Sequence, residues 1–104
     1  MGGQGFGDLA GLDRVIHEPS RLMILALLYP LEGADFVFLQ REIGLTTGNL
    51  SAHLSKLESA GYISVEKGFR GRIPQTTYRM TEEGRSAFRE YRDRMKRAVE
   101  SLPE

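Results

Sequence analysis

Residues Leu45 to Lys67 read LTTGNLSAHLSKLESAGYISVEK. This one run holds a helix entrance, an apolar stripe, a glycine exit and the start of a strand. Leu50, Leu54 and Leu57 recur at i, i+4 and i+7, the spacing that lines one face of an α-helix. Thr46 or Thr47 can cap its N-terminus, because a threonine oxygen accepts a backbone N–H that has no partner inside the helix. Gly61 stands where a left-handed residue is wanted after the last turn, and Tyr62-Ile63-Ser64-Val65 then changes to period two. The opposite face carries Gly48, Asn49, Ala52, Ser55, Lys56 and Ser59, all small or polar. Such a helix shows a narrow stripe to a core and keeps a face free to approach another large surface closely.

Upstream, Asp35 is placed to cap a short helix over 36–43, with Phe36, Leu39 and Ile43 inward and Gly44 closing it. Leu45-Thr46 leaves only a tight link to the next helix, the arrangement of a helix-turn-helix. Earlier still, Pro19 suits the first position of a helix running to Tyr29. That helix is apolar nearly all round, which predicts a central element buried on most sides. A further helix is expected from Asp8, with Leu9, Leu12 and Ile16 on one face, interrupted at Glu18-Pro19. The glycine-rich residues 1–7 are expected to be disordered, and 8–104 to form one domain.

Downstream, Tyr62 to Lys67 and Gln75 to Met80 alternate apolar with polar residues around Gly68 to Pro74. The pattern predicts a β-hairpin with a long, positively charged tip. Thr81 then caps a final helix over 81–102, with Glu82 and Glu83 in the first turn, where the helix dipole favours negative charge. The fold class is therefore mainly α with a small β-hairpin wing (α+β): a winged helix-turn-helix with extra N- and C-terminal helices. Phe88, Tyr91, Met95, Ala98 and Leu102 follow 3-4-3-4 spacing, a heptad-like seam. Since the first helices and the hairpin already close the body, the seam is expected to form a homodimer interface together with Leu9, Leu12 and Ile16. The alternative is that it packs back on its own domain.

Composition narrows the function. The 104 residues contain no cysteine, which excludes disulfides, thiolate metal sites and cysteine nucleophiles. The formal net charge is zero, but its distribution is uneven. Residues 1–64 hold four Lys/Arg against seven Asp/Glu, and 65–104 hold ten against seven. The longest apolar run, Leu22 to Tyr29, spans eight residues and is too short to cross a bilayer. With no targeting signal, a cytoplasmic location is expected and no membrane partner. P-loop, GxGxxG and Ser-His-Asp patterns are absent, so no enzyme, metal or cofactor is expected.

Four motifs occur in a recognisable order. Pro19-Ser20-Arg21-Leu22-Met23-Ile24-Leu25 opens the core helix, and Leu45 to Leu57 forms the second helix of the helix-turn-helix. Ala60-Gly61-Tyr62-Ile63 leads into the hairpin, and Tyr78-Arg79-Met80-Thr81-Glu82-Glu83-Gly84 leads out of it. Together they resemble the MarR/ArsR-type winged-helix transcriptional regulators, in compact single-domain archaeal or bacterial form, over about residues 9 to 100. The resemblance implies a homodimeric, sequence-specific regulator of transcription that binds double-stranded DNA at a pseudo-palindromic operator. The cysteine ligands of ArsR metal sensors are missing, so effector sensing does not carry over.

On that reading Thr46, Thr47, Gly48 and Asn49 lie at the positive end of the recognition helix, where backbone N–H groups grip a phosphate. Asn49 can pair with an adenine edge, and Ala52 can touch a thymine methyl. Ser51, Ser55 and Lys56 suit phosphate or base-edge contacts. Taken singly, Thr46, Asn49 and Ser51 could equally cap and solvate a helix. Lys67, Arg70 and Arg72 on the wing suit a minor groove. The plain alternative there is a soluble loop with Phe69 folded back as a plug. His53 flanks the leucine stripe and is expected to be a packed or hydrogen-bonded histidine. The competing function is a winged helix used only for protein contacts, without sequence-specific DNA binding.

Overall fold

The computed structural model describes residues 3–104. Its elements are α1 (Gly3–Ala10), α2 (Pro19–Leu28), β1 (Ala34–Asp35), α3 (Phe36–Ile43), α4 (Thr47–Ser59), β2 (Ile63–Arg70), β3 (Ile73–Met80) and α5 (Glu82–Ser101). The architecture is the expected winged helix: a helical body and a small antiparallel sheet of order β1-β3-β2.

Side-chain caps explain most of the boundaries. Glu18 accepts the N–H of Arg21 ahead of Pro19, and Asp35 accepts that of Phe38. Thr46 accepts the N–H of Asn49, and Thr81 that of Gly84. Each supplies an oxygen to a first-turn N–H that the helix cannot satisfy. At the far end of α4 the Tyr62 N–H bonds Leu57 O at 3.0 Å and the Gly61 N–H bonds Glu58 O at 2.9 Å. Gly61, at φ +83°, makes this Schellman exit possible without a Cβ penalty.

The core forms where α2, α3 and α4 meet the sheet. Ile24, Leu25, Leu28, Leu39, Leu50 and Leu57 are fully buried, and Leu54, Ile63 and Met80 nearly so. Of the short helix's expected inward residues, Leu39 is buried and Phe36 and Ile43 are half-buried against the core.

Several expectations are corrected. The helix expected to run from Asp8 through Ile16 ends at Ala10. Asp13 stops it by accepting the N–H groups of Val15 and Ile16 at 2.8 and 3.2 Å, a local turn that competes with helix. Residues 3–7, expected to be disordered, are helical in α1, which packs along α5; residues 1 and 2 lie outside the described residues. The core helix is less enclosed than its composition implies, since Met23 is exposed.

The hairpin also differs. Its strands run on to Arg70 and Ile73, so the tip is the two-residue turn Gly71-Arg72 in place of a seven-residue loop. Gly71 has φ +65° and Arg72 does not have positive φ, the pattern of a type II′ turn.

Candidate DNA-binding surface

The recognition-helix positions separate cleanly from the core. Thr46, Thr47, Gly48, Asn49, Ser51, Ala52, Ser55 and Lys56 are all exposed, while Leu50, Leu54 and Leu57 are buried behind them. The entrance is held by a residue that sequence reading passed over. Gln40 on α3 donates to Leu45 O at 3.3 Å and to Thr47 Oγ1 at 3.0 Å, which fixes the turn between the two helices. A glutamine seven residues ahead of the first helical threonine is the only signal in the sequence. Because Thr47 Oγ1 accepts this bond, its hydroxyl hydrogen remains available to donate.

His53 anchors the other side of α4. Its Nδ1 lies 3.2 Å from Arg21 Nη1 and 3.7 Å from Glu18 Oε1, and Arg21 Nε donates to Val15 O at 2.6 Å. The histidine is thus hydrogen-bonded, as expected, and it ties the recognition helix to the entrance of α2.

Lys67, Arg70 and Arg72 are exposed on the wing. Glu66, the one acid beside them in sequence, is turned to Arg79 at 3.3 Å. Among the described residues the three wing cations have no carboxylate partner. Phe69 is not folded back as a plug; it is 74% exposed.

The wing is set against the body by the junction after α4. Thr81 donates its hydroxyl to Gly61 O at 2.6 Å and its backbone N–H to Tyr62 O at 3.1 Å. The Tyr62 hydroxyl donates to Asp13 Oδ2. Burial first, and the Asp13 carboxylate second, push the Tyr62 phenol up to about 12. At the root of the hairpin, β1 pairs Ala34 with Tyr78 and Asp35 with Thr77, and Gln75 donates to Asp35 Oδ2 at 3.1 Å.

The residues expected at a dimer interface do not stay together. Leu12, Ile16, Tyr91 and Ala98 are buried inside the single chain and are unavailable to a partner. The reason is that the start of the chain folds onto α5, where Asp8 pairs with Arg97 at 3.4 Å and Arg94 at 3.9 Å. Leu9, Phe88 and Met95 are half-buried against the core, and Leu102 is 45% exposed. Leu22, Phe88, Met95 and Val99 line an open groove of about 530 Å³, rimmed by Arg92, Asp93, Lys96 and Glu100.

Two arginines of α5 have structural roles. Arg85 donates to Tyr29 O at 2.9 Å, closing the end of α2, and its guanidinium lies 5.0 Å from the centre of the Tyr29 ring. Arg89 donates to the Tyr29 hydroxyl at 3.2 Å. Glu90 and Arg94 pair at 3.6 Å, and Arg97 pairs with Asp8 at 3.4 Å.

A helix-turn-helix with an exposed polar second helix, followed at once by a basic hairpin and closed by a capped helix, defines a winged-helix protein. The chain matches the winged helix DNA-binding domain family over residues 20–99 and belongs to it. The likeness to winged-helix transcriptional regulators seen in the sequence is borne out by its relatives. A transcriptional regulator homologue from Pyrococcus horikoshii superimposes with a TM-score of 0.86 at 26% identity, covering 97% of this chain and 99% of that one. An uncharacterised protein of Methanocaldococcus jannaschii is 40% identical over 79 residues, 75% of this chain and 85% of that protein. A PadR family transcriptional regulator from Eggerthella lenta shares the fold at a TM-score of 0.63 and 23% identity over 75% of each chain. No helix among the described residues is long and apolar enough to cross a membrane.

Proposed function

We propose that this chain is a homodimeric transcriptional regulator that binds a pseudo-palindromic DNA operator, with α4 in the major groove and the wing in the minor groove. The observation that carries this reading is the division of α4 into a buried leucine stripe and a continuous exposed face of small and polar residues. Small side chains let the helix sit deep against base edges, and Asn49 is the residue suited to an adenine. Thr46 through Asn49 take the phosphate at the helix N-terminus, and Ser51, Ala52, Ser55 and Lys56 continue along the groove. The unpaired Lys67, Arg70 and Arg72 neutralise phosphate on the wing side.

The dimer surface in this proposal is the groove of Leu22, Phe88, Met95 and Val99, with Leu102 at its end. Its rim carries Arg92 and Lys96 as well as Asp93 and Glu100. A two-fold axis brings such a mixed rim against its own opposite charges, which suits an isologous contact. Two recognition helices then meet successive major grooves about 34 Å apart.

Selection of bound sequences from a random duplex pool tests this directly. The expected result is an inverted repeat whose half-site centres lie about 10 base pairs apart. Asn49→Ala should alter the consensus, at about 1–3 kcal/mol for the lost base contact. Recovery of no consensus, with capture of an acidic protein surface that duplex DNA does not compete away, would leave the protein-contact reading standing.

A further inference from the structure

From Glu66 to Pro74 every residue of the hairpin is exposed, and on one face Arg70, Ile73 and Pro74 border an open groove against Phe36, Val37, Phe38 and Arg41 of α3. At about 3.4 Å per residue, Glu66 to Arg70 projects about 14 Å. A free-standing polar loop would need no apolar side chains there, yet Phe69 is 74% exposed and Ile73 69%. The register pairs Phe69 with Pro74 and Arg70 with Ile73, on adjacent rungs, so Phe69 and Ile73 point to opposite faces of the ribbon. Lys67, Arg70 and Arg72 surround them, without carboxylate partners among the described residues. Apolar tips ringed by free cations complement a polyanion with an apolar interior. The minor groove is one: phosphates along its rims, sugars on its walls and stacked bases beneath. An acidic protein surface would satisfy the cations but cover only one of the two apolar faces.

We infer that the wing tip is a wedge, in which Phe69 and Ile73 press on the two walls of the minor groove, widen it and bend the bound DNA. This rests on the proposed DNA-binding function. The fit requires the deformation. A minor groove is about 6 Å wide, and a ribbon with strands about 4.8 Å apart and a large side chain on each face cannot enter it undistorted. Apolar wedges entering from the minor groove bend DNA toward the major groove. Flexible pyrimidine–purine steps are the easiest to deform, so the wing would confer a preference for them without a base-edge hydrogen bond.

Circular-permutation and phasing electrophoresis on a selected operator tests the wedge with wild type, the double variant Phe69→Ser/Ile73→Ser, and the conservative Phe69→Leu/Ile73→Leu. Both positions are exposed, so the fold should survive, as circular dichroism checks. Wild type should bend the operator by roughly 20–90°. The serine pair should lose the bend and bind roughly tenfold or more weakly, the worth of one large apolar contact. Its salt dependence should not change, because no charge is removed. The leucine pair should keep the bend. A straight wild-type complex, or a full bend with the serine pair, overturns the wedge and leaves DNA binding intact. Failure to bind any duplex overturns the proposed function itself.

Discussion

Replacing Gly84 with alanine probes the joint that connects the recognition helix, the wing and α5. In an open helix interior this change stabilises by about 1 kcal/mol, because alanine is the better helix former. Here the sign should reverse. A Cβ on Gly84 would sit 2.1 Å from Tyr62 O, 2.9 Å from Tyr62 C and 3.0 Å from Tyr62 Cα. The shortest of these is more than ~1 Å inside an ordinary nonbonded contact. All three atoms are backbone, so no side chain can swing away. They belong to the residue immediately after the left-handed Gly61, whose carbonyl is already bonded by the Thr81 hydroxyl.

Relief therefore requires α5 to retreat from Tyr62. A retreat of about 1 Å breaks the Thr81 N–H bond to Tyr62 O, now 3.1 Å, and loosens the bond from Thr81 Oγ1 to Gly61 O. Overpacking of this kind costs about 1–3 kcal/mol, and a lost backbone hydrogen bond about 1 kcal/mol. Set against the propensity gain, the net destabilisation is about 2 kcal/mol. That lowers the midpoint of thermal unfolding by about 10 °C for a domain of this size. Urea and thermal unfolding followed by circular dichroism, at fixed protein concentration because association stabilises, measure it. Gly48→Ala is the control: nothing lies within 4 Å of its Cβ, and it should be neutral or slightly stabilising. A Gly84→Ala midpoint at or above wild type would refute the steric reasoning.

Arg70→Ala/Arg72→Ala should weaken binding to every duplex and reduce the slope of log affinity against log salt by about 1.8, at roughly 0.9 per phosphate; an unchanged slope removes the wing from the interface. Val99→Asp places a charge in the exposed α5 groove and should yield monomer in sedimentation at micromolar concentration, whereas a persisting dimer puts the interface elsewhere. Tyr62 gives a pH signature. Its folded phenol holds its proton up to about 12 against an ordinary 10, so its contribution to stability is intact below pH 10 and is lost as pH rises from 10 to 12. Phenolate absorbance should therefore lag in the folded protein, and Tyr62→Phe should remove the most delayed part of that lag, leaving the smaller one that burial gives Tyr78 and Tyr91; a normal titration of Tyr62 would count against its bond to Asp13.

What was legible in the sequence was local. The caps at Asp35, Thr46 and Thr81 and the glycine exits at Gly44 and Gly61 act within one turn of the residues they serve, so a short window of sequence contains the whole cause. The leucine stripe of α4 works in the same way. What failed depended on partners far along the chain. Strand β1 is a two-residue rung that exists only because β3 lies beside it. Pro74 looks like a strand breaker, yet β1 pairs only with Thr77 and Tyr78, so the open edge beside Pro74 tolerates the missing N–H. Leu12 and Ile16 share a helical spacing with Leu9, but they reach the core along a turn organised by Asp13.

The seam on α5 shows why an apolar period alone cannot separate a core from an interface. Residues seven apart return to nearly the same side of an α-helix, slipping about 20° each time. Gly84, Tyr91 and Ala98 form one such row, and all three are buried within the chain. Phe88 and Met95 form a neighbouring row that the body half covers, and Val99 and Leu102 continue the apolar surface outward. The heptad spacing merged two rows with different partners. The inner row is already covered within the chain: Gly84 sits against the Tyr62 backbone, α1 packs along the helix, and His17 Nδ1 lies 2.8 Å from the Tyr91 hydroxyl. Only the outer row has surface left for a second copy. A dimer built on it would place that copy directly against α5, the helix whose first turn is locked to Tyr62 and the wing. Pairing would therefore set the spacing of the two wings and recognition helices through one rigid element, which makes the Gly84 joint as important to operator geometry as to folding.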